Sequence, residues 1–265
     1  MKITSRDNSL LRRARAVRDG KAEEAIFVEG LRLCEEALSS DLKIEAVIYS
    51  EDIARKPRAA DLIGQLGSIS DKVASVSEKL LDTISYTKTP QGIVLLAARP
   101  ASDGASFKLR QPSSPLLVIM HGVNNPVNVG AILRTAEAAG VSGVITTANT
   151  SDPFSPKALR GAMGSAFRVP IWAGTDYANA IAWCAERGIR TLGASVHSPN
   201  LFTEIDWHGA SALIVGPESS GLSPEEIAAA DVTVSIPMQG AVESLNVAVA
   251  TAVMLYEAAR QKAKK

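Results

Sequence analysis

The feature that most constrains this 265-residue chain is the alternation of strand-like and helix-like segments after residue 115. Short apolar runs predict strands there, and helical patterns lie between most of them. The predicted strands are residues 116–123, 143–147, 167–172, 190–196, 212–216 and 232–238. Such alternation is typical of a mostly parallel sheet with helices on both faces. We therefore predict an α/β domain, without internal repeats.

The first half of the chain alternates in the same way. Strand-like IEAVIYS, KVASVS and GIVLLAA alternate with helix-like segments such as GLRLCEEALSS and AADLIGQL. Between the halves lies RPASDGASFKLRQPSSP, which is rich in Pro, Ser and Gly and lacks apolar periodicity. We predict a small α/β domain over residues 1–99, a linker over residues 100–114 and a second domain over residues 115–265.

Composition argues against a membrane protein or a metalloprotein. Hydrophobic residues make up 46% of the chain, but runs such as LLVIM are far shorter than the ~20 residues that a membrane helix needs. The N-terminal sequence has no apolar signal-peptide core. Cys34, Cys184 and the three histidines lack metal-ligand spacing. We expect a cytoplasmic globular protein with no metal and with buried, reduced thiols.

Charge is balanced overall, with 28 basic and 28 acidic residues, but it is unevenly distributed. Residues 1–21 carry seven basic and two acidic side chains. An excess of this kind suits contact with a polyanion such as RNA. A solvated helix face is the alternative interpretation. The candidate RNA-binding residues are Arg12, Arg13, Arg15 and Arg18.

Three loops of the second half follow predicted strands and are rich in polar residues. They are NNPVNVGAILR, IVGPESSGLS and IPMQGAVESLNVAVATAV. Ligands of open α/β sheets collect at the carboxyl ends of strands, so we predict that the loops close around one site. A G-x-G-x-x-G fingerprint and a Walker lysine are both missing. Gly216 permits close backbone approach, and Ile236, Met238 and Leu245 are suited to an apolar slot for a nucleobase.

Arg134 lies in the helix predicted after the first of these loops. Long helical side chains lean toward the helix N-terminus, so we expect Arg134 to reach back over Asn128. A cation there opposes the helix dipole, which a carboxylate such as Glu218 or a ligand phosphate would compensate. On spacing alone, an ordinary surface arginine is the competing interpretation.

The final predicted helix carries an apolar stripe with helical spacing. This stripe indicates a core face or a dimer interface rather than a cofactor site. Its members are Leu245, Ala248, Val249, Ala252, Val253, Tyr256 and Ala259.

The three loops resemble the ordered motifs of the SpoU (TrmH-like) family of SPOUT RNA methyltransferases. The matching stretches are NxxNxGAILRTAEAAG, GPESSGLS and IPMxGxVESLNVAVATAVMLYE, within residues 115–260. The first half, with FVEGLRLCEEAL and TPQGIVLLA, is similar to the L30e-like substrate-binding domain that precedes many such enzymes. The resemblance implies a homodimer that uses S-adenosylmethionine to methylate a ribose 2′-hydroxyl in 23S ribosomal RNA. It also implies a trefoil knot in the C-terminal domain.

Functional residues carry over by motif position. The resemblance assigns catalysis to Arg134, Asn128, Glu218, Ser244 and Asn246. It assigns the cofactor to Gly216, Ile236 and Leu245, with Met238 nearby. A guanidinium is a poor proton acceptor, so we interpret Arg134 as orienting the hydroxyl and stabilising the developing oxyanion.

Two departures from the family pattern affect the cofactor pocket rather than the catalytic residues. Pro217 follows the motif-two glycine and removes a backbone donor. Ala162 stands where many relatives carry serine. Three other functions compete with the leading one. They are a transfer RNA 2′-O-methyltransferase, an L30e-type RNA-binding protein with an inactive C-terminal domain, and a nucleotide-dependent enzyme of an unrelated doubly wound family.

Overall fold

The computed structural model describes residues 1–110 and 113–263. Gln111 and Pro112 of the predicted linker, and the last two residues of the predicted second domain, lie outside the described residues. The chain divides into two compact units. The first comprises Met1–Pro100 and Phe154–Phe167, and the second comprises Ala101–Pro153 and Arg168–Lys265. Among the helices of the described residues, none has the length and apolar character that crossing a bilayer requires.

Strands β1 to β10 are, in order, Ala25–Glu29, Ile44–Ser50, Val73–Val76, Ile93–Ala98, Leu116–Met120, Gly143–Thr147, Ile171–Thr175, Arg190–Ala194, Ser211–Val215 and Val232–Val234. Helices α1 to α10 are, in order, Ser9–Arg18, Leu31–Leu38, Pro57–Ile69, Glu78–Asp82, Pro126–Ala138, Pro156–Ala162, Ser165–Arg168, Tyr177–Glu186, Pro224–Ala228 and Val247–Lys262. A short 3-10 helix covers Ile53–Arg55.

The sheet of the first unit has the strand order β1-β4-β2-β3. Strand β4 is antiparallel to both β1 and β2, and β3 is parallel to β2. The segments IEAVIYS, KVASVS and GIVLLAA contain β2, β3 and β4, which confirms those predictions. The sequence pattern predicts no strand at the position of β1. Its five residues are all buried, so its pattern lacks the alternation of a half-exposed strand.

Helix α1 packs one face on the core of the first unit. Leu10, Leu11, Ala14 and Val17 are buried, at the i, i+1, i+4 and i+7 spacing of an amphipathic helix. The Asn8 side chain accepts a hydrogen bond from the backbone N–H of Leu10 and so caps the first turn.

The segment Phe154–Phe167 packs with the first unit although it follows β6 in the chain. Helix α6 lies against β1, and the Arg99 guanidinium lies 4.8 Å from the centre of the Phe154 ring. Met163 ends α6 in the left-handed conformation, with φ of 50°. A segment from the sequence of the predicted second domain therefore contributes to the first compact unit.

The sheet of the second unit has the order β10-β8-β9-β5-β6-β7, and every pairing in it is parallel. This confirms the predicted α/β class. Strand β7 begins at Ile171 rather than at residue 167, because Ser165–Arg168 forms the short helix α7. The trefoil knot stays a prediction.

The described part of the predicted linker is ordered against the second unit. The backbone N–H of Ala173 donates to Ser102 O at 2.7 Å, which places the segment beside edge strand β7. The buried Phe107 ring lies 5.4 Å from Trp183, centre to centre. A Cβ on Gly143 would approach the Phe107 ring to 2.7 Å. The sequence did not predict this packing, because the linker has few apolar residues and one aromatic side chain, Phe107, provides much of the contact.

Candidate active site

The first and second motif loops meet because β5 and β9 are parallel neighbours. The backbone N–H of His121 donates to Val215 O at 2.8 Å. Beside this bond Gly122 has a φ of 62°, and a Cβ there would lie 2.9 Å from the Pro217 ring. Pro217, which departs from the family pattern, therefore fits because the facing residue, Gly122, has no side chain.

Asn128 joins all three motifs. This residue is buried in the first turn of α5, whose N-cap is Asn125. Its Nδ2 donates to Glu218 Oε1 of the second motif at 2.9 Å. Its Oδ1 accepts from Asn246 Nδ2 of the third motif at 3.2 Å. The structure therefore connects three predicted site residues that lie in separate motifs.

Asn246 is held in turn as the N-cap of α10. Its Oδ1 accepts from the backbone N–H groups of Ala248, at 2.9 Å, and Val249, at 3.4 Å. Both ends of its amide are thereby engaged. The chain from Glu218 through Asn128 to Asn246 fixes the orientation of both amides, as a preorganised site requires.

Arg134 is not part of this chain. It is exposed, and within the described residues its side chain makes no hydrogen bond or ion pair. Glu218, the expected counter-charge, bonds to Asn128 instead. Six residues separate Asn128 from Arg134, about 240° of rotation at ~100° per residue, so the two side chains leave α5 on different faces. The guanidinium keeps its N–H donors available to a ligand.

The predicted cofactor residues lie close in sequence to the residues of this hydrogen-bonded chain. Gly216 is buried, and a Cβ there would lie 2.7 Å from the backbone of Gly221 and Leu222, so glycine lets this loop fold back on itself. Ile236 and Met238 are half-buried, and Leu245, just before Asn246, is 37% exposed. Partly exposed apolar side chains beside fixed polar groups fit an adenosine ligand. Ser244 is exposed in the same segment.

In the first unit, three of the four candidate RNA-binding arginines are engaged within the fold. Arg13 pairs with Glu24 at 2.9 Å and with Glu45 at 2.7 Å. The hydrogen bond to Glu45, followed by that to Glu24, raises the Arg13 pKa despite partial burial.

The other arginines of α1 differ among themselves. Arg15 donates to the carbonyl of Arg6, and Arg18 donates to Asp19 and to the carbonyls of Thr83 and Ser85. Arg12 is exposed, and its side chain makes no hydrogen bond or ion pair within residues 1–110 and 113–263. Arg12 is therefore the member of this cluster whose donors are open to a ligand.

The two cysteines are buried free thiols, as predicted. Burial raises the pKa of Cys184 to about 12, and it raises the pKa of Cys34 further, so both are protonated at neutral pH. In the part of the chain that the structure describes, no cluster of three His, Cys, Asp or Glu residues is placed to hold a metal ion.

Comparison with known proteins now defines the class. Residues 115–256 match the SpoU rRNA methylase family, and residues 10–95 match the MRM3-like substrate-binding domain. The chain belongs to the SpoU rRNA methylase family, which excludes an unrelated doubly wound enzyme.

Individual members of the family are similar to this chain over most of its length. The 23S rRNA (guanosine-2′-O-)-methyltransferase RlmB of Shewanella oneidensis is 35% identical, over 77% of this chain and 85% of that protein. RlmB of Vibrio vulnificus is 30% identical, over 89% and 97%. The crystal structure of an AdoMet-bound rRNA methyltransferase from Sinorhizobium meliloti matches with a TM-score of 0.86 and 30% identity, over 98% of this chain and 97% of that one.

Proposed function

We propose that this protein transfers the methyl group of S-adenosylmethionine to the 2′-hydroxyl of a guanosine in 23S ribosomal RNA. The observation that carries the proposal is the hydrogen-bonded chain Glu218–Asn128–Asn246, which assembles three family motifs into one site. The names of the RlmB relatives and the AdoMet-bound neighbour support the substrate and the cofactor. The RNA substrate agrees with the expected cytoplasmic location.

The chemistry divides between cofactor and protein. S-adenosylmethionine supplies a methyl group that its sulfonium already activates. The protein has to align the ribose oxygen with that methyl group and stabilise charge on the oxygen as its proton leaves. Arg134 is suited to hold the hydroxyl and an adjacent phosphate, because a guanidinium is a permanent cation with a planar fork of N–H donors.

The remaining predicted residues hold the geometry. Asn128, Glu218 and Asn246 form the fixed support, and the Ser244 hydroxyl is exposed to contact the acceptor. Gly216, Ile236, Met238 and Leu245 are assigned to the adenosine of the cofactor. We assign RNA capture to residues 1–99 and methyl transfer to residues 115–265.

We also propose a homodimer, formed through α5 and α10. These helices contact each other and leave apolar side chains exposed: Val127 is 45%, Val249 49% and Tyr256 56% exposed. Of the predicted apolar stripe, Ala248 alone is buried, at 9% exposure, which favours the interface interpretation over a core face. Arg134 is seven residues from Val127 and shares its face of α5, so a partner docked there would lie beside Arg134.

The molar mass of the protein in solution tests the proposed dimer. Light scattering should give twice the mass of one chain, and replacing Val249 and Tyr256 together with aspartate should give a monomer, because charges at an apolar interface are costly to desolvate. The double substitution Ile69→Asp/Tyr86→Asp, at exposed apolar positions of the first unit, is the matched control. A monomeric wild-type protein would contradict the proposal.

The RNA contact is testable through salt dependence. Arg12→Gln should weaken RNA binding and reduce the slope of log affinity against log salt by ~0.7 to 0.9, since one phosphate contact is lost. Lys43→Gln, at another exposed cation of the first unit, should leave the slope unchanged. Arg13→Gln should instead lower the unfolding temperature, because it breaks two ion pairs. A wild-type slope for Arg12→Gln would show that α1 is a solvated face.

Mass-spectrometric mapping of ribose methylation in RNA, from cells with and without this protein, tests the function. One 2′-O-methylguanosine of 23S rRNA should disappear when the protein is absent. Loss of a transfer RNA methylation would favour the transfer RNA enzyme. Unchanged methylation of all RNA, together with retained RNA binding, would favour the inactive binding protein.

A further inference from the structure

His121 is bound to both ends of the second motif loop, residues 216–223. Its backbone N–H donates to Val215 O, at the residue where β9 ends and the loop begins. Its ring Nε2 lies 2.7 Å from Oε1 of Glu226, in α9, where the loop ends. The His121 side chain is 14% exposed. One residue thus connects the entry and the exit of this loop.

Glu226 is itself fixed from several directions. Its Oε2 accepts from the Ser223 backbone N–H at 2.7 Å, and the Ser223 Oγ accepts from the Glu226 N–H at 3.2 Å, which forms a capping box. The Tyr177 hydroxyl donates to the Glu226 carbonyl at 2.8 Å. Burial raises the pKa of the Glu226 carboxyl, but hydrogen bonds from Ser223 and His121 outweigh burial and lower it overall.

The loop between these anchors carries residues assigned to the cofactor and to the catalytic support. Gly216 needs close approach to the backbone of Gly221 and Leu222, and Glu218 accepts the hydrogen bond from Asn128. Leu222 is buried. A shift at either end of the loop would therefore move the backbone that faces the cofactor.

We propose that His121, anchored by Glu226, is a positioning residue that holds residues 216–223 in the cofactor-binding conformation. The inference rests on the proposed function, because it requires Gly216 to lie against the cofactor. The sequence pattern gives His121 no functional role, because the three histidines lack metal-ligand spacing. The sequence signal for its partner is the S-P-E-E capping box of residues 223–226, which fixes the Glu226 carboxylate.

The test compares cofactor affinity with turnover. His121→Phe keeps a ring against Tyr177, 4.7 Å away centre to centre, but loses the bond to Glu226. We expect Kd and KM for S-adenosylmethionine to rise about tenfold, as for loss of one charge-assisted hydrogen bond. kcat at saturating cofactor and RNA affinity should stay at the wild-type level. Hydrogen exchange of residues 216–223 in the cofactor-free protein should become faster.

Matched variants isolate the contact. Tyr177→Phe removes the bond to the Glu226 carbonyl but keeps the bond between His121 and the Glu226 carboxylate, so Kd should rise less than in His121→Phe. His121→Gln restores an N–H donor and should recover part of the affinity. The double variant His121→Phe/Glu226→Gln should bind no more weakly than the weaker single variant, since coupled residues are not additive.

The outcomes separate this proposal from the proposed function. Wild-type Kd and wild-type hydrogen exchange in a folded His121→Phe protein would overturn the positioning role. The positioning role would also be overturned if kcat fell by the same factor as KM rose and the melting temperature dropped, because this combination indicates general destabilisation of the protein. Leu245→Asp tests the pocket itself, since it places a carboxylate at the assigned adenosine site. If Leu245→Asp binds the cofactor normally, the pocket assignment is wrong whatever His121 does.

Discussion

Arg134→Ala is expected to lower kcat for methyl transfer by about 10²- to 10³-fold, as for loss of a donor that stabilises charge in the transition state. The affinity for S-adenosylmethionine should stay close to wild type, because Arg134 is assigned to the acceptor hydroxyl. The side chain is exposed and makes no hydrogen bond or ion pair within the described residues, so its removal breaks no such bond of the fold. Single-turnover methylation of 23S rRNA, with calorimetry for the cofactor, measures the two quantities separately.

Two controls accompany this variant. Arg134→Lys keeps the charge but not the planar fork of donors, and it should recover a minor part of kcat. Arg187→Ala removes an exposed arginine that stacks on Trp183, at 4.2 Å from the ring centre, and should leave kcat unchanged. Full activity of Arg134→Ala would remove the central catalytic assignment.

Asn128→Asp is expected to destabilise the second unit and to abolish efficient methylation. The substitution preserves shape but replaces the Nδ2 donor with an oxygen opposite Glu218 Oε1, where donor and acceptor are 2.9 Å apart. A favourable bond to a charged group becomes a repulsion between carboxylates, and the lost bond alone is worth about 1.5–3 kcal/mol. The Nδ2 group of Asn246 keeps an acceptor, so the damage falls on the link to Glu218.

Thermal unfolding and cofactor calorimetry measure the effects of Asn128→Asp. The melting temperature should fall by several degrees, since about 1 kcal/mol corresponds to roughly 2–4 °C in a protein of this size class. Asn128→Ala loses both bonds without adding a charge and should be less harmful than Asn128→Asp. The double variant Asn128→Asp/Glu218→Gln restores a donor and should recover stability. Equal stability of Asn128→Asp and wild type would contradict the chain of hydrogen bonds.

The α1 arginines show that the sequence predicts a basic stretch but not which of its charges have acidic partners. An excess of positive charge over residues 1–21 is visible in the sequence, and it indicates a polyanion-binding stretch. The partners of Arg13 are Glu24 and Glu45, and Glu45 belongs to β2. Packing of α1 beside the sheet determines which charges are neutralised. Arg12 is open because no acidic side chain is placed within reach of it in the described residues.

Local sequence determined the α/β class, most strand positions and the three polar loops of this protein. Strand and helix periodicities depend on neighbouring residues, and the β5 and β9 runs, LLVIM and SALIV, are apolar enough to need no tertiary information. The family motifs likewise predicted Asn128, Glu218 and Asn246 as site residues, and the structure shows hydrogen bonds between them.

Tertiary structure alone decided how these residues meet. The partners of Asn128 lie 90 and 118 residues away along the chain, so their bonds exist only once β5 and β9 are neighbours and α10 packs on α5. The same holds for His121 with Glu226, 105 residues apart, and for Phe154–Phe167 in the first unit. Hydrogen bonds and packing between residues so far apart in the chain depend on strand order. Strand order is set by the burial of apolar surface over the whole chain, and no local pattern encodes it.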